Sequence, residues 1–92
     1  MGPTIRRTCI FSGNVQGVGF RYTAHNLALQ YDLRGYVRNL PDGRVELVME
    51  GPAGQIDLLL GDIEDRMSGF IRDTKSNDAP PTGEFSRFSI RH

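Results

Sequence analysis

Two amphipathic helical segments, separated by segments with the alternation of β-strands, constrain the fold of this 92-residue chain more than any other feature. The first has apolar residues at positions i, i+3, i+4 and i+7, namely Ala24, Leu27, Ala28 and Tyr31. The second continues this spacing over a longer stretch, with Ile56, Leu59, Leu60, Ile63 and Met67. Because glycine often follows the last residue of a helix, we expect the first helix to end near Gly35 and the second at Gly69.

The segments around these helices are rich in strand-forming residues. Strands are predicted at residues 5–11, 35–39, 44–50, 70–77 and 85–91. The turn sequence Pro41-Asp42-Gly43 joins the second and third strands into a β-hairpin. Each helix needs a sheet face to cover its apolar stripe. We therefore predict a single α+β domain over residues 1–92, a ferredoxin-like α/β sandwich of the order βαββαβ with a fifth C-terminal strand, in which an antiparallel sheet carries both helices on one face.

Charge and composition restrict the classes of partner. The 11 basic and 11 acidic residues cancel, so there is no electrostatic basis for binding nucleic acid or a membrane surface. The single cysteine, Cys9, cannot form an intramolecular disulfide, and no histidine has cysteine neighbours at zinc-ligand spacing. No apolar run is as long as a membrane span, and no signal peptide follows Met1. We expect a soluble, cytoplasmic monomer without a metal site.

The first predicted strand leads into a glycine-rich segment that ends in an arginine at the start of a helix. Gly13, Gly17 and Gly19 fit neither the Gly-x-Gly-x-x-Gly pattern nor a loop that ends in Gly-Lys-Ser/Thr. Consecutive backbone N–H groups in such a loop can still surround an anion, and Arg21 can add two parallel hydrogen bonds to one phosphate. An arginine at a helix N-terminus otherwise opposes the helix dipole. The pattern alone leaves an anion site and a flexible turn with a solvated arginine equally open.

Two longer segments carry a family resemblance. Residues 13–21, GNVQGVGFR, and residues 35–46, GYVRNLPDGRVE, resemble the two signature segments of the acylphosphatases. The likeness continues through EGP at 50–52 to FSRFSIRH at 85–92, and it is loosest between about Arg66 and Glu84. The chain departs from the family at His92, where members often carry Tyr, and we expect this difference to concern packing alone.

The resemblance implies hydrolysis of the carboxyl–phosphate anhydride of small acyl phosphates, to a carboxylate and inorganic phosphate, without a metal or other cofactor. It implies two catalytic residues: Arg21, which binds the substrate phosphate, and Asn39, which orients the attacking water. It also implies that the loop backbone surrounds the phosphate. The expected phosphate-binding residues are Asn14, Val15, Gln16, Gly17, Val18, Gly19, Phe20 and Arg21. Inorganic phosphate is then both product and competitive ligand.

The residues alone leave several alternatives open. Asn39 also suits a turn residue that bonds local backbone, and His25 suits the edge of the helix better than an acid or base. Gln16 can either contact substrate or brace the loop. A second class of function is an RNA-binding module, since RNA-recognition motifs share this order of elements, although residues 34–40 match only the first three positions of their main signature. A third is a phosphate-binding regulatory module of the same fold.

Overall fold

The structure, a computed structural model, describes residues 3–92, so Met1 and Gly2 of the predicted domain lie outside the described residues. Its elements follow the order predicted from the periodicities. They are β1 (Thr4–Gly13), α1 (Phe20–Ala28), β2 (Arg34–Asn39), β3 (Val45–Pro52), α2 (Ala53–Met67), β4 (Ile71–Ala79) and β5 (Phe88–Arg91). No helix within the described residues combines the length and apolar character needed to cross a membrane.

Both helices pack apolar side chains onto one face of a five-stranded sheet, which confirms the ferredoxin-like α+β architecture, although Tyr31 of the predicted first stripe lies beyond the end of α1. The shared core is built from residues of both layers. The strands contribute Cys9, Phe11, Val37, Val45, Leu47 and Met49, and the helices contribute Phe20, Ala24, Leu27, Ile56, Leu59, Ile63 and Met67. The alternation of β3 therefore points Val45, Leu47 and Met49 toward the helices, as predicted.

The sheet is mixed, so the prediction of a fully antiparallel sheet is wrong. The strand order is β4-β1-β3-β2-β5, and β5 runs parallel to β2 while the other pairs are antiparallel. The direction of β5 follows from where β4 ends. Ala79 pairs with Arg6 near the start of β1, at the same end of the sheet where Arg34 begins β2. After β4 the chain crosses the sheet at this end, so β5 starts at the same end as β2 and runs parallel to it.

Gly35 has a different role from the predicted helix end. The helix α1 already ends at Ala28, and Gly35 lies within β2 with a φ of +145°. A Cβ atom at Gly35 would lie 1.9 Å from the carbonyl oxygen of Val48 on β3. Only glycine lets the two strands approach this closely. Gly69, in contrast, does lie just beyond the end of α2.

The segment 80–87 crosses the helix-free face and is held there by a buried carboxylate. Glu50 accepts hydrogen bonds from the backbone N–H and the hydroxyl of Thr82, both at 2.8 Å, and from the N–H of Gly83 at 2.9 Å. Further along, Phe85 packs against Tyr36 with ring centroids 5.8 Å apart. This anchoring positions β5, and with it the end of the chain, beside β2.

Candidate active site

The glycine-rich loop begins at a fixed point at one end of the sheet. The register of β1 against β4 shifts between Ser12 and Gly13, and the N–H of Asn14 donates to the carbonyl oxygen of Phe70 at 2.9 Å. Gly13 has a φ of +125°, and a Cβ atom there would lie 2.4 Å from the same oxygen. The chain can therefore leave the sheet at this point only with glycine at position 13.

Two buried side chains fix the loop from below. Val15 and Phe20 are almost fully buried, and the Phe20 ring lies 5.0 Å from the ring of Phe11 in the core. Between them, Gly17 and Gly19 take left-handed φ values of +76° and +78°. The carbonyl oxygen of Gly19 accepts the first hydrogen bond of α1, from Thr23 at 3.0 Å. The loop thus connects directly to the N-terminus of the helix.

The backbone N–H groups of residues 15–22 are a concentrated set of donors. Within residues 3–92 none of them donates to a protein acceptor, because they precede the first hydrogen bond of α1 and belong to no strand. Beside them lies a cleft of about 260 Å³. It is lined by Val15, Gly17, Gly19, Phe20, Arg21, Tyr22 and Asn39. Unpaired N–H groups at a helix N-terminus give such a cleft a positive electrostatic character.

Arg21 lies in the first turn of α1 and is half-buried. Its Nη1 atom is 3.2 Å from Nδ1 of His92. A guanidinium has only donors, so Nδ1 of His92 is the acceptor of this hydrogen bond. The expectation that the His92 difference concerns packing alone is therefore wrong, since His92 directly contacts the arginine of the cleft. Nothing in the spacing of the sequence indicates this contact, because the two residues are far apart along the chain.

Asn39 is the last residue of β2 and pairs with Val45 across the hairpin. It is half-buried and lines the same cleft as Arg21, so the structure brings the two predicted catalytic residues together. Within residues 3–92 its side-chain amide forms no hydrogen bond, and it is not sealed from solvent. The amide does not bond local backbone as a simple turn residue would, and it is available to a ligand or to water.

Gln16 links the loop to the hairpin that carries Asn39. Its Nε2 atom donates to the carbonyl oxygen of Leu40 at 2.8 Å and to that of Arg44 at 2.9 Å. Of the two roles that the sequence leaves open, the side chain takes the bracing one. His25 lies outside the cleft, and the centroids of its ring and the Phe88 ring are 6.2 Å apart.

Tyr22 is the cleft residue that the sequence reasoning missed. It follows Arg21 directly, lines the cleft, and is 62% exposed. The sequence carries a signal for it, because Tyr22 is a large aromatic residue that falls outside the apolar stripe of its own helix. Such a residue is not needed for the core.

Fold and cleft together define a small α+β protein of ferredoxin-like topology with a donor-rich cleft at one end of its sheet. The family model described as Acylphosphatase matches residues 7–90. The acylphosphatase of Methylococcus capsulatus is 43% identical over 86 residues, which cover 88% of this chain and 89% of that protein. That of Paenarthrobacter aurescens is 41% identical over 88 residues, or 95% and 94% of the two chains. The crystal structure of acylphosphatase from Bacillus subtilis has a TM-score of 0.86 and 30% identity, covering 96% of this chain and 99% of that one. The chain belongs to the acylphosphatase family, a family of hydrolases.

Proposed function

We propose that the cleft hydrolyses the carboxyl–phosphate anhydride of small acyl phosphates, with Arg21 and the loop backbone binding the phosphate and Asn39 orienting the water. One observation carries this proposal. Four residues of the loop, Val15, Gly17, Gly19 and Phe20, line one cleft together with Arg21 and Asn39. Within residues 3–92 the N–H groups of these four and the side-chain amide of Asn39 have no protein partner. Membership of the family supports the reaction class, and the geometry supports the division of roles.

The phosphate is held by backbone and guanidinium donors. The donors are the N–H groups of Val15, Gln16, Gly17, Val18, Gly19 and Phe20. The N–H of Asn14 already donates to Phe70, so Asn14 contributes by fixing the start of the loop. Arg21 adds a planar pair of N–H groups that matches two phosphate oxygens, and the helix N-terminus favours the negative charge.

The chemistry of an acyl phosphate needs little more than this. Phosphoryl transfer passes through a loose transition state, so catalysis consists mainly of positioning and charge stabilisation. The water oxygen forms a bond to phosphorus while the bond from phosphorus to the acyl oxygen breaks. The electron pair of the breaking bond stays on that oxygen, which leaves as part of the carboxylate. A carboxylic acid has a pKa of about 4, so this group departs without a general acid. The water proton ends on the released phosphate.

Asn39 suits the remaining task, which is to hold the water in line. An amide accepts through its oxygen and donates through its nitrogen, so it can fix a water molecule without a change of its own protonation. A strong base is not needed when bond formation to water lags behind bond cleavage. The loop N–H groups and Arg21 supply the charge stabilisation that a metal ion would otherwise provide. We therefore expect activity in the presence of a chelator.

The test is hydrolysis of benzoyl phosphate by the purified protein with a chelator present. Arg21→Lys should lose about 10²- to 10³-fold in rate, because a point charge cannot replace the planar pair of donors. Asn39→Ala should lower kcat while the inhibition constant of inorganic phosphate stays within about two-fold, since it orients water and not phosphate. Arg66→Lys and Asn26→Ala are matched exposed controls outside the cleft and should behave as the unsubstituted protein.

The same experiment separates the other function classes. Near-full activity of Arg21→Lys would refute the role of the guanidinium. Binding of inorganic phosphate without turnover would favour a regulatory module. Binding to RNA that falls steeply with added salt would favour a nucleic-acid module, because such binding releases counterions.

A further inference from the structure

Tyr22 is a large, exposed aromatic residue that lines the cleft. The side chains of four large apolar residues in the described part of the chain are substantially exposed: Tyr22, Leu29, Leu58 and Phe70. Of these, Tyr22 lines the cleft that contains Arg21 and Asn39. The other apolar side chains of the cleft, Val15 and Phe20, are buried and already packed in the core. An exposed aromatic ring that the core does not need is available to a ligand.

The acyl group of the substrate is the part that this ring can reach. If the loop N–H groups and Arg21 hold the phosphate, the acyl group must extend away from the loop toward the open side of the cleft. Small acyl phosphates differ from one another only in this carbon portion. We propose that Tyr22 contacts the acyl group and gives the site a preference for aromatic acyl phosphates over acetyl phosphate. This inference rests on the proposed function and adds a residue that determines its specificity.

The size of the effect follows from the physics of aromatic contacts. A pair of aromatic rings in offset or edge-to-face contact contributes enough to change an equilibrium or a rate by about 3- to 10-fold. An acetyl group offers a single methyl to the same ring and gains much less. Loss of the ring should therefore affect benzoyl phosphate and leave acetyl phosphate nearly unchanged.

The experiment compares kcat/KM for benzoyl phosphate and for acetyl phosphate in four proteins. These are the unsubstituted chain, Tyr22→Phe, Tyr22→Ala and the control Leu29→Ala, which removes an equally exposed apolar side chain from outside the cleft. We expect Tyr22→Ala to reduce the ratio of the two kcat/KM values by about 3- to 10-fold. Tyr22→Phe and Leu29→Ala should keep the ratio of the unsubstituted protein. Inhibition by inorganic phosphate should be the same in all four, which shows that the phosphate site is intact.

An unchanged ratio in Tyr22→Ala, with both substrates still hydrolysed, would overturn this inference and leave the proposed function standing. An equal loss for both substrates would also overturn it, because it would indicate a role in positioning Arg21 instead. If the unsubstituted protein hydrolyses neither substrate, the proposed function falls and the inference falls with it.

Discussion

The Gln16 amide links the donor-rich loop to the hairpin that carries Asn39. Two substitutions, Gln16→Leu and Gln16→Glu, test how much this link contributes. Gln16→Leu removes two hydrogen bonds, to the carbonyl oxygens of Leu40 and Arg44. Both carbonyls keep a backbone partner, since Leu40 O accepts from Gly43 N at 3.2 Å and Arg44 O accepts from Leu40 N at 2.8 Å. No buried carbonyl is left unpaired, so the cost is about 1 kcal/mol for each bond, or about 2 kcal/mol in the free energy of unfolding.

The activity should fall by more than this loss of stability explains. A small domain has an unfolding free energy of about 5–15 kcal/mol, so a protein that loses about 2 kcal/mol stays folded. Without the Gln16 link, however, the loop and Asn39 no longer hold a fixed separation. A displacement of about 1 Å between reacting groups can cost about 10²-fold in rate. Gln16→Glu should be more severe than Gln16→Leu in both stability and kcat/KM, because a carboxylate oxygen of the same size would face two carbonyl oxygens.

Urea unfolding followed by circular dichroism gives the stability, and benzoyl phosphate hydrolysis gives kcat/KM. Gln30→Glu is the matched control, since Gln30 is exposed and lies outside the cleft. The activity of Gln16→Glu should recover in part at acidic pH, where a protonated carboxyl can donate again to one carbonyl. If Gln16→Glu keeps the stability and the kcat/KM of the unsubstituted protein at neutral pH, the bracing role of Gln16 is refuted.

Two further predictions concern Glu50 and His92. Burial alone would raise the pKa of Glu50, but the N–H groups of Thr82 and Gly83, the Thr82 hydroxyl and Arg6 together hold it below its ordinary value of 4.5. The ionised Glu50 therefore stabilises the fold fully above pH 4.5, and this contribution is lost as the pH falls through the lower pKa of the folded state. On acidification, the urea concentration at the midpoint of unfolding should drop more steeply in the unsubstituted protein than in Glu50→Gln. At the cleft, His92→Asn keeps an acceptor for Arg21 whereas His92→Leu removes it, so His92→Leu alone should weaken inhibition by inorganic phosphate, by about 2- to 10-fold. Equal inhibition constants in the two His92 variants would contradict the role of this hydrogen bond.

Local patterns predicted the elements of this fold well, because the spacing of apolar residues in the sequence reflects which side chains are buried in the core. The stripe of the second helix is buried at Ile56, Leu59 and Ile63, as its spacing requires. The role of Gly35 could not be predicted in this way. Its need for glycine comes from the Val48 carbonyl on another strand, and a local pattern contains no information on that approach. The parallel direction of β5 is also non-local, since it depends on the end of the sheet at which β4 finishes.

The same distinction between local and non-local features applies to the candidate site. The family signatures indicated that Arg21 and Asn39 act together, and both line one cleft. The hydrogen bonds that hold them were not predictable, because each joins residues distant along the chain. Gln16 reaches Leu40 and Arg44, and Arg21 reaches His92. A side-chain bond of this kind depends on the final placement of two backbones and leaves no periodic trace in the sequence.

The glycines of the loop show why the space beside it stays open to a ligand. Gly13 needs the absence of a side chain, since a Cβ atom there would collide with the backbone of Phe70 and Arg72. A Cβ atom at Gly17 or Gly19 would meet nothing within 4 Å, so these two positions need glycine only for their left-handed backbone. The shape of the loop is thus set by its dihedral angles, by the buried anchors Val15 and Phe20, and by the Gln16 hydrogen bonds to the hairpin, while the space beside Gly17 and Gly19 stays open. A loop that was held by packing on its outer side would have its N–H groups covered. This one is anchored by buried side chains on its inner side and open at Gly17 and Gly19, an arrangement that suits the proposed phosphate site.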